Sequence, residues 1–156
     1  MPKLQPVDDS FFTTAPSRFE ETFRIARPAE EVWAELSSDR PLHWCRVLSI
    51  RWTSDRPFAV GTTRQAKVFG GAISIKEHFF NWDEGRRMSF YATSGNLPLF
   101  RRLAEDYVVE PDGDAACRFT WRAGIEPTAL GRPGGPLNAF VFKTAFADTR
   151  KYFSAT

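Results

Sequence analysis

Arg64 and Glu77 are the first residues from which chemistry can be read, because the chain around them fixes the direction in which they point. Gly70-Gly71 lies between two strand-like runs, Thr62 to Phe69 and Ala72 to Asp83, and glycine pairs favour two-residue hairpin turns. Counting outward pairs Val68 with Ile73, Ala66 with Ile75, Arg64 with Glu77 and Thr62 with Phe79. Side chains alternate across a sheet, so Arg64 and Glu77 share the apolar face of Val68, Ile73, Ala66 and Ile75, while Phe69, Lys67, Gln65, Ser74, Lys76 and His78 take the other. Charges on an inner face are costly to desolvate. The pair therefore reads either as a polar patch inside a cavity or as a structural ion pair that sets the register.

Two further hairpins extend this face. With Glu84-Gly85 as a two-residue turn, Phe79 lies opposite Phe90 and Glu77 opposite Ala92, which brings Met88, Phe90 and Ala92 inward. A turn centred near Gly113 sets Val109 opposite Cys117, Tyr107 opposite Phe119 and Glu105 opposite Trp121, so Glu105 also points inward. Strands about 4.8 Å apart would hold Glu77 and Glu105 on the order of 10 Å from each other if they are level along the sheet. A partly desolvated carboxylate with a raised pKa can move protons at a carbonyl or hydroxyl, while a guanidinium stabilises a developing enolate. Glu77, Glu105 and Arg64 are thus the candidate catalytic residues.

The elements that must position them follow from periodicity. Phe19 to Ala26 alternates as a strand, and Pro28-Ala29-Glu30-Glu31 opens a helix whose buried stripe is Val32, Trp33 and Leu36. Arg40 to Cys45 reads as a second short helical turn before a strand from Val47 to Thr53. From there to Pro127 the turn-forming clusters mark an antiparallel meander. Beyond the Gly/Pro-rich stretch Leu130 to Pro136, residues Leu137 to Phe153 form one long helix, with Asn138 and Thr149 inside its apolar stripe. Met1 to Arg18, with Pro2, Pro6 and Pro16, is expected to be an extended N-terminal arm, leaving residues 19–156 as a single domain.

A space between the sheet and the long helix would be lined by Trp33, Phe79, Phe90, Tyr107, Phe119, Trp121 and Phe142, with Asn138 and Thr149 supplying polar contacts. A solid aromatic core is the rival use of the same rings. Aromatic residues make up 15% of the 156, including 15 Phe and 5 Trp, which suits either. The segment Gly95 to Phe100, followed by Arg101-Arg102, is expected at the rim, as a lid, a membrane-touching patch or a homodimer contact.

Several classes of function find no support. The net charge of +2, from 21 basic and 19 acidic residues, comes with no nucleic-acid motif. No apolar run is long enough to span a bilayer and the first residues lack the apolar core of a signal peptide, so the expectation is a cytoplasmic protein without stable membrane insertion. Cys45 and Cys117 read as buried thiols. His43 and His78 are the only histidines and neither HxxxH nor CxxC spacing occurs, so no metal and no cofactor are expected. His43 beside Trp44 reads as an acid/base group at the pocket mouth or as helix-end packing. There is no GxSxG, and Gly131 to Gly135 lacks the Gly-Lys-Ser/Thr ending of a phosphate loop.

Ile25 to Trp33, Val60 to Arg64, Trp82 to Met88 and Glu110 to Gly113, in that order and spacing, resemble the polyketide cyclase/dehydrase-like branch of the START-related (SRPBCC) superfamily, across almost the whole chain after Phe19. A proline pair common at the Asp83 turn in relatives is here Glu84-Gly85. The resemblance implies an α+β helix-grip fold, a curved antiparallel sheet wrapped around the C-terminal helix, with a cavity that holds lipids, polyketides or other apolar molecules. It does not imply one reaction, since such folds serve as carriers, as cyclases and as partners of other proteins. The expectation is a binder of a hydrophobic small molecule, with a cofactor-free cyclase or dehydratase as the alternative.

Overall fold

The structure is a computed structural model and describes residues 1–154. Seven strands form one antiparallel sheet: β1 (Ser17–Ile25), β2 (Leu48–Trp52), β3 (Thr63–Val68), β4 (Ile73–Asp83), β5 (Arg87–Gly95), β6 (Phe100–Pro111) and β7 (Cys117–Pro127). Their spatial order is β1-β7-β6-β5-β4-β3-β2, so every neighbouring pair except β1 with β7 is a local hairpin. The helices are α1 (Phe11–Thr14), α2 (Ala29–Leu36) and α3 (Gly135–Ser154). Val32, Trp33 and Leu36 of α2 and Phe142, Phe146 and Phe153 of α3 meet the inner face in one continuous core. This is the helix-grip architecture. No helix among the described residues is long and apolar enough to cross a membrane.

The β3–β4 register pairs Arg64 with Glu77 and Val68 with Ile73, as the glycine pair predicts. The β4–β5 register pairs Phe79 with Phe90 and Glu77 with Ala92, but by a different route from a two-residue turn. The turn holds Glu84, Gly85 and Arg86 between paired Asp83 and Arg87, and an irregularity between Phe79 and Asn81 absorbs the extra residue. In β6–β7 the expected pairing is displaced by two residues: Val109 faces Phe119, Tyr107 faces Trp121 and Glu105 faces Ala123. The cause is a longer loop, closed by Asp112 N–H donating to Ala116 O. A shift of two keeps parity, so Glu105 still points inward.

Two local expectations need correction. Residues 41–44 make a turn but no second helix. The N-terminal segment is more than an extended arm. Leu4 and Gln5 hydrogen-bond to β5 and β6, α1 forms a single turn, and Phe11, Phe12 and Ala15 bury themselves with Ala104 on the outer face of the sheet. Beside them Asp106 is fully buried, accepting from Ser89 at 2.7 Å, Arg87 at 2.8 Å and Arg122 at 2.7 Å.

Candidate functional site

β3, β4, β6 and β7 bring Arg64, Glu77, Glu105, Tyr107 and Trp121 to one patch of the inner face, because each lies at an inward position of its strand. Arg64 Nε donates to Glu77 Oε1 at 2.6 Å, and its Nη2 donates to the Tyr107 hydroxyl at 3.0 Å. That hydroxyl donates to Glu105 Oε1 at 3.3 Å, which also accepts from Trp121 Nε1 at 2.7 Å. The two carboxylates are therefore not separated by open space. A guanidinium and a phenol link them, and Glu105 lies level with Phe90, whereas Glu77 lies level with Ala92.

Arg64 is 1% exposed, and its guanidinium carbon stands 4.5 Å from the ring centre of Phe90, 5.1 Å from Phe79, 5.5 Å from Trp52 and 5.6 Å from Tyr107. Four ring faces and one carboxylate replace the water it lost. Its Nη1 is the one buried side-chain nitrogen or oxygen among the described residues with no partner. Burial pushes Glu77 up from the ordinary carboxylate range, against the pull of Arg64. It pushes Glu105 up to about 7, assisted by the charge of Glu77 and opposed by Arg64. Arg64 itself stays charged, since Tyr107 and Glu77 outweigh its desolvation. One cation thus faces two carboxyl groups in a dry setting, and one of those groups carries a proton over part of the neutral range.

These groups form one end of a cavity between the sheet and α3. Apart from Asn138, its remaining wall is apolar, with Ala66, Val68, Ile73 and Ile75 from the β3–β4 hairpin, Leu48 and Ile50 from β2, Leu103 from β6, and Val141, Phe142 and Ala145 from α3. The cavity volume is about 60 Å³. Of the residues singled out from sequence, Tyr107, Trp121, Asn138 and Phe142 stand in this wall with Arg64, Glu77 and Glu105.

The others stand apart. Phe79 and Phe90 lie against the Arg64 guanidinium. Phe119 packs between Phe23 and Tyr107. Trp33 donates to Glu84 at 3.0 Å and meets Trp82 edge-on, and Thr149 is taken by Trp44 Nε1 at 2.9 Å. Leu48, Ile50 and Leu103 were not singled out, although period-2 alternation in their strands marks them as inward. His43 packs edge-on against Trp44 and Tyr152, and His78 lies tilted against Tyr91. Cys45 and Cys117 are free and buried, and desolvation pushes the Cys45 thiol up to about 12. Among the described residues no three His, Cys, Asp or Glu side chains are grouped to hold a metal ion.

The sequence pattern of the family described as "Polyketide cyclase / dehydrase and lipid transport" matches residues 16–152. The chain belongs to this family. It is 30% identical over 154 residues to an uncharacterized protein of Mycobacterium tuberculosis, a match that covers 94% of this chain and 90% of that one. In fold it is similar to a START superfamily protein from Mycobacterium smegmatis, with TM-score 0.70, 11% identity, and coverage of 88% of this chain and 97% of the other. It is also similar to the Zhui aromatase/cyclase from Streptomyces, with TM-score 0.68, 11% identity, and coverage of 86% and 89%. A third likeness is ginseng major latex-like protein 151, with TM-score 0.62, 17% identity, and coverage of 88% and 97%. At such identities the likeness is one of fold.

Proposed function

We propose that the protein binds a small apolar molecule carrying one oxygen acceptor, with its hydrocarbon part along the β3–β4 hairpin and its oxygen on Arg64. The observation that carries this reading is the orphaned Nη1 of Arg64, a residue at the polar end of a mostly apolar cavity. A buried donor without a partner costs about 1–3 kcal/mol, which a carbonyl, enol or carboxylate oxygen recovers on binding. At about 60 Å³ the cavity takes only a small or slender guest. A drug-sized one needs roughly 300 Å³ or more and would have to displace α3, whose link to the sheet contains Gly131 and Gly134.

A second reading, a cofactor-free cyclase or dehydratase, is favoured by Glu105. Its carboxyl is held near neutrality and hydrogen-bonded to Tyr107, which suits a group that gives and takes a proton. Glu77, engaged by Arg64, serves in this reading as counter-ion. Arg64 stabilises charge on the substrate oxygen.

Displacement of an apolar fluorescent dye tests the binding reading. A ketone should displace the dye at roughly tenfold lower concentration than its parent hydrocarbon, the difference made by one hydrogen bond to a charged donor. Equal displacement by the two, or no dye binding, would refute the assignment of Arg64 as the recognition group.

A further inference from the structure

The cavity wall leads to one end of the molecule, where Val68, Ile73, Phe100, Asn138 and Val141 lie within a few residues of three connecting segments. Those segments are tied to one another. The Asn96 side chain accepts from Ser74 N at 2.8 Å and donates to Ala72 O at 3.1 Å, which joins the β5–β6 loop to the β3–β4 loop. Thr128 N donates to Leu99 O at 3.0 Å and its hydroxyl to Pro98 O at 2.7 Å, which joins the β5–β6 loop to the β7–α3 link. Phe69 stacks on Phe140 at 6.4 Å and completes the ring.

This rim exposes Phe69, Leu97, Leu130, Leu137 and Phe140. Phe69 is held out at φ 52°, a backbone region that disfavours a residue with a bulky side chain. Around them Lys67, Arg101, Arg132 and Lys143 are exposed. None of these four has a carboxylate within ion-pair distance among the described residues. No Asp or Glu occurs in residues 66–76, 94–103 or 127–147. A chain of net charge +2 has thus gathered cations, free of acids, where its apolar side chains protrude.

We propose that this rim docks on an anionic lipid bilayer, so that the mouth of the cavity opens onto the membrane surface. Cations beside exposed apolar side chains are the complement of an anionic headgroup layer. Phe69, Leu97 and Leu130 stand on three separate connecting segments, and Leu137 and Phe140 on the first turns of α3; a lipid surface conforms to such separate projections. A second copy of the chain would oppose like charges. Docking is read without any guest in the cavity, so its failure leaves the ligand assignment standing, and the converse also holds.

Cosedimentation of the full chain with phosphatidylcholine vesicles, with and without phosphatidylserine, is the test. Binding should require phosphatidylserine and weaken as salt shortens the screening length below about 8 Å. Replacing two exposed apolar side chains at the start of α3, Leu137→Ser with Phe140→Ser, should weaken it roughly tenfold or more. Arg132→Glu with Lys143→Glu should do the same, whereas Arg24→Glu with Arg86→Glu, an equal charge change away from the rim, should change it less than about threefold. All of these side chains are exposed, and circular dichroism verifies folding. Absence of binding to anionic vesicles would overturn the proposal, as would equal losses for the two charge pairs. Dimers that dissociate on Phe140→Ser without any vesicle binding would reassign the rim to self-association.

Discussion

Glu105 holds the most consequential proton in the molecule. Its carboxyl is raised from the ordinary 4.5 to about 7, first by burial and then by the charge of Glu77. The folded state therefore binds a proton there that the unfolded chain has already released. Stability from this group is fully present below about pH 4.5 and is lost as pH rises through about 7, with a span of up to about 3 kcal/mol. Glu105→Gln keeps an oxygen to accept from Trp121 and removes the titration. Urea midpoints measured at pH 5 and pH 8 should fall between those values more steeply in the wild type than in the variant. Parallel slopes for both would place the titrating proton elsewhere. The same substitution should leave apolar binding intact and abolish any turnover, which separates the two functional readings.

At the scale of elements, the outer-face arm is the part of the fold whose dependence on a single residue is clearest. Gly124 of β7 lies beneath α1, and a Cβ there would stand 2.9 Å from Phe11 Cε2 and 3.0 Å from Ala15 Cβ. Gly124→Ala should lift or tilt the arm at a cost of about 1–3 kcal/mol. Amide exchange should accelerate at residues 11–15 while β6 and β7 stay protected. Unchanged exchange there would mean that α1 does not depend on this close approach. None of this layer is legible in the sequence, because Phe11-Phe12 sits among prolines with no period to announce a partner. The strands were legible because turn residues punctuate them and alternation is clear in β1, β3 and most of β7. Phe79 and Phe90 came out opposite each other only because a longer turn and an irregularity near Phe80 cancel. The two-residue error at Tyr107 was harmless to Glu105, since facing depends on parity alone. Cavity walls and solid core use the same apolar alternation, which is why Phe79, Phe90 and Phe119 were indistinguishable from Tyr107 and Trp121 before their neighbours were known.

Across the whole molecule, the space between the sheet and α3 is left where Ala66, Val68 and Ala145 make the wall thin, while Trp52, Phe79 and Phe90 crowd around Arg64. Ala66→Leu should fill part of the 60 Å³. If the room is kept for a guest, this variant should hold or gain up to about 1 kcal/mol of stability in denaturant titration and lose dye binding. A loss of more than about 2 kcal/mol would indicate overpacking, and hence a wall with no room to spare.

The seam between β1 and β7 sets the order in which the chain can come together. Every other strand finds its neighbour one turn away, whereas Ile25 and Cys117 must meet across nearly the whole meander. Loop-closure entropy makes such a meeting late. On a ribosome the opening strand would emerge first and wait, unpaired, for the last hairpin to be synthesised, and α3 could clasp the finished sheet only after that.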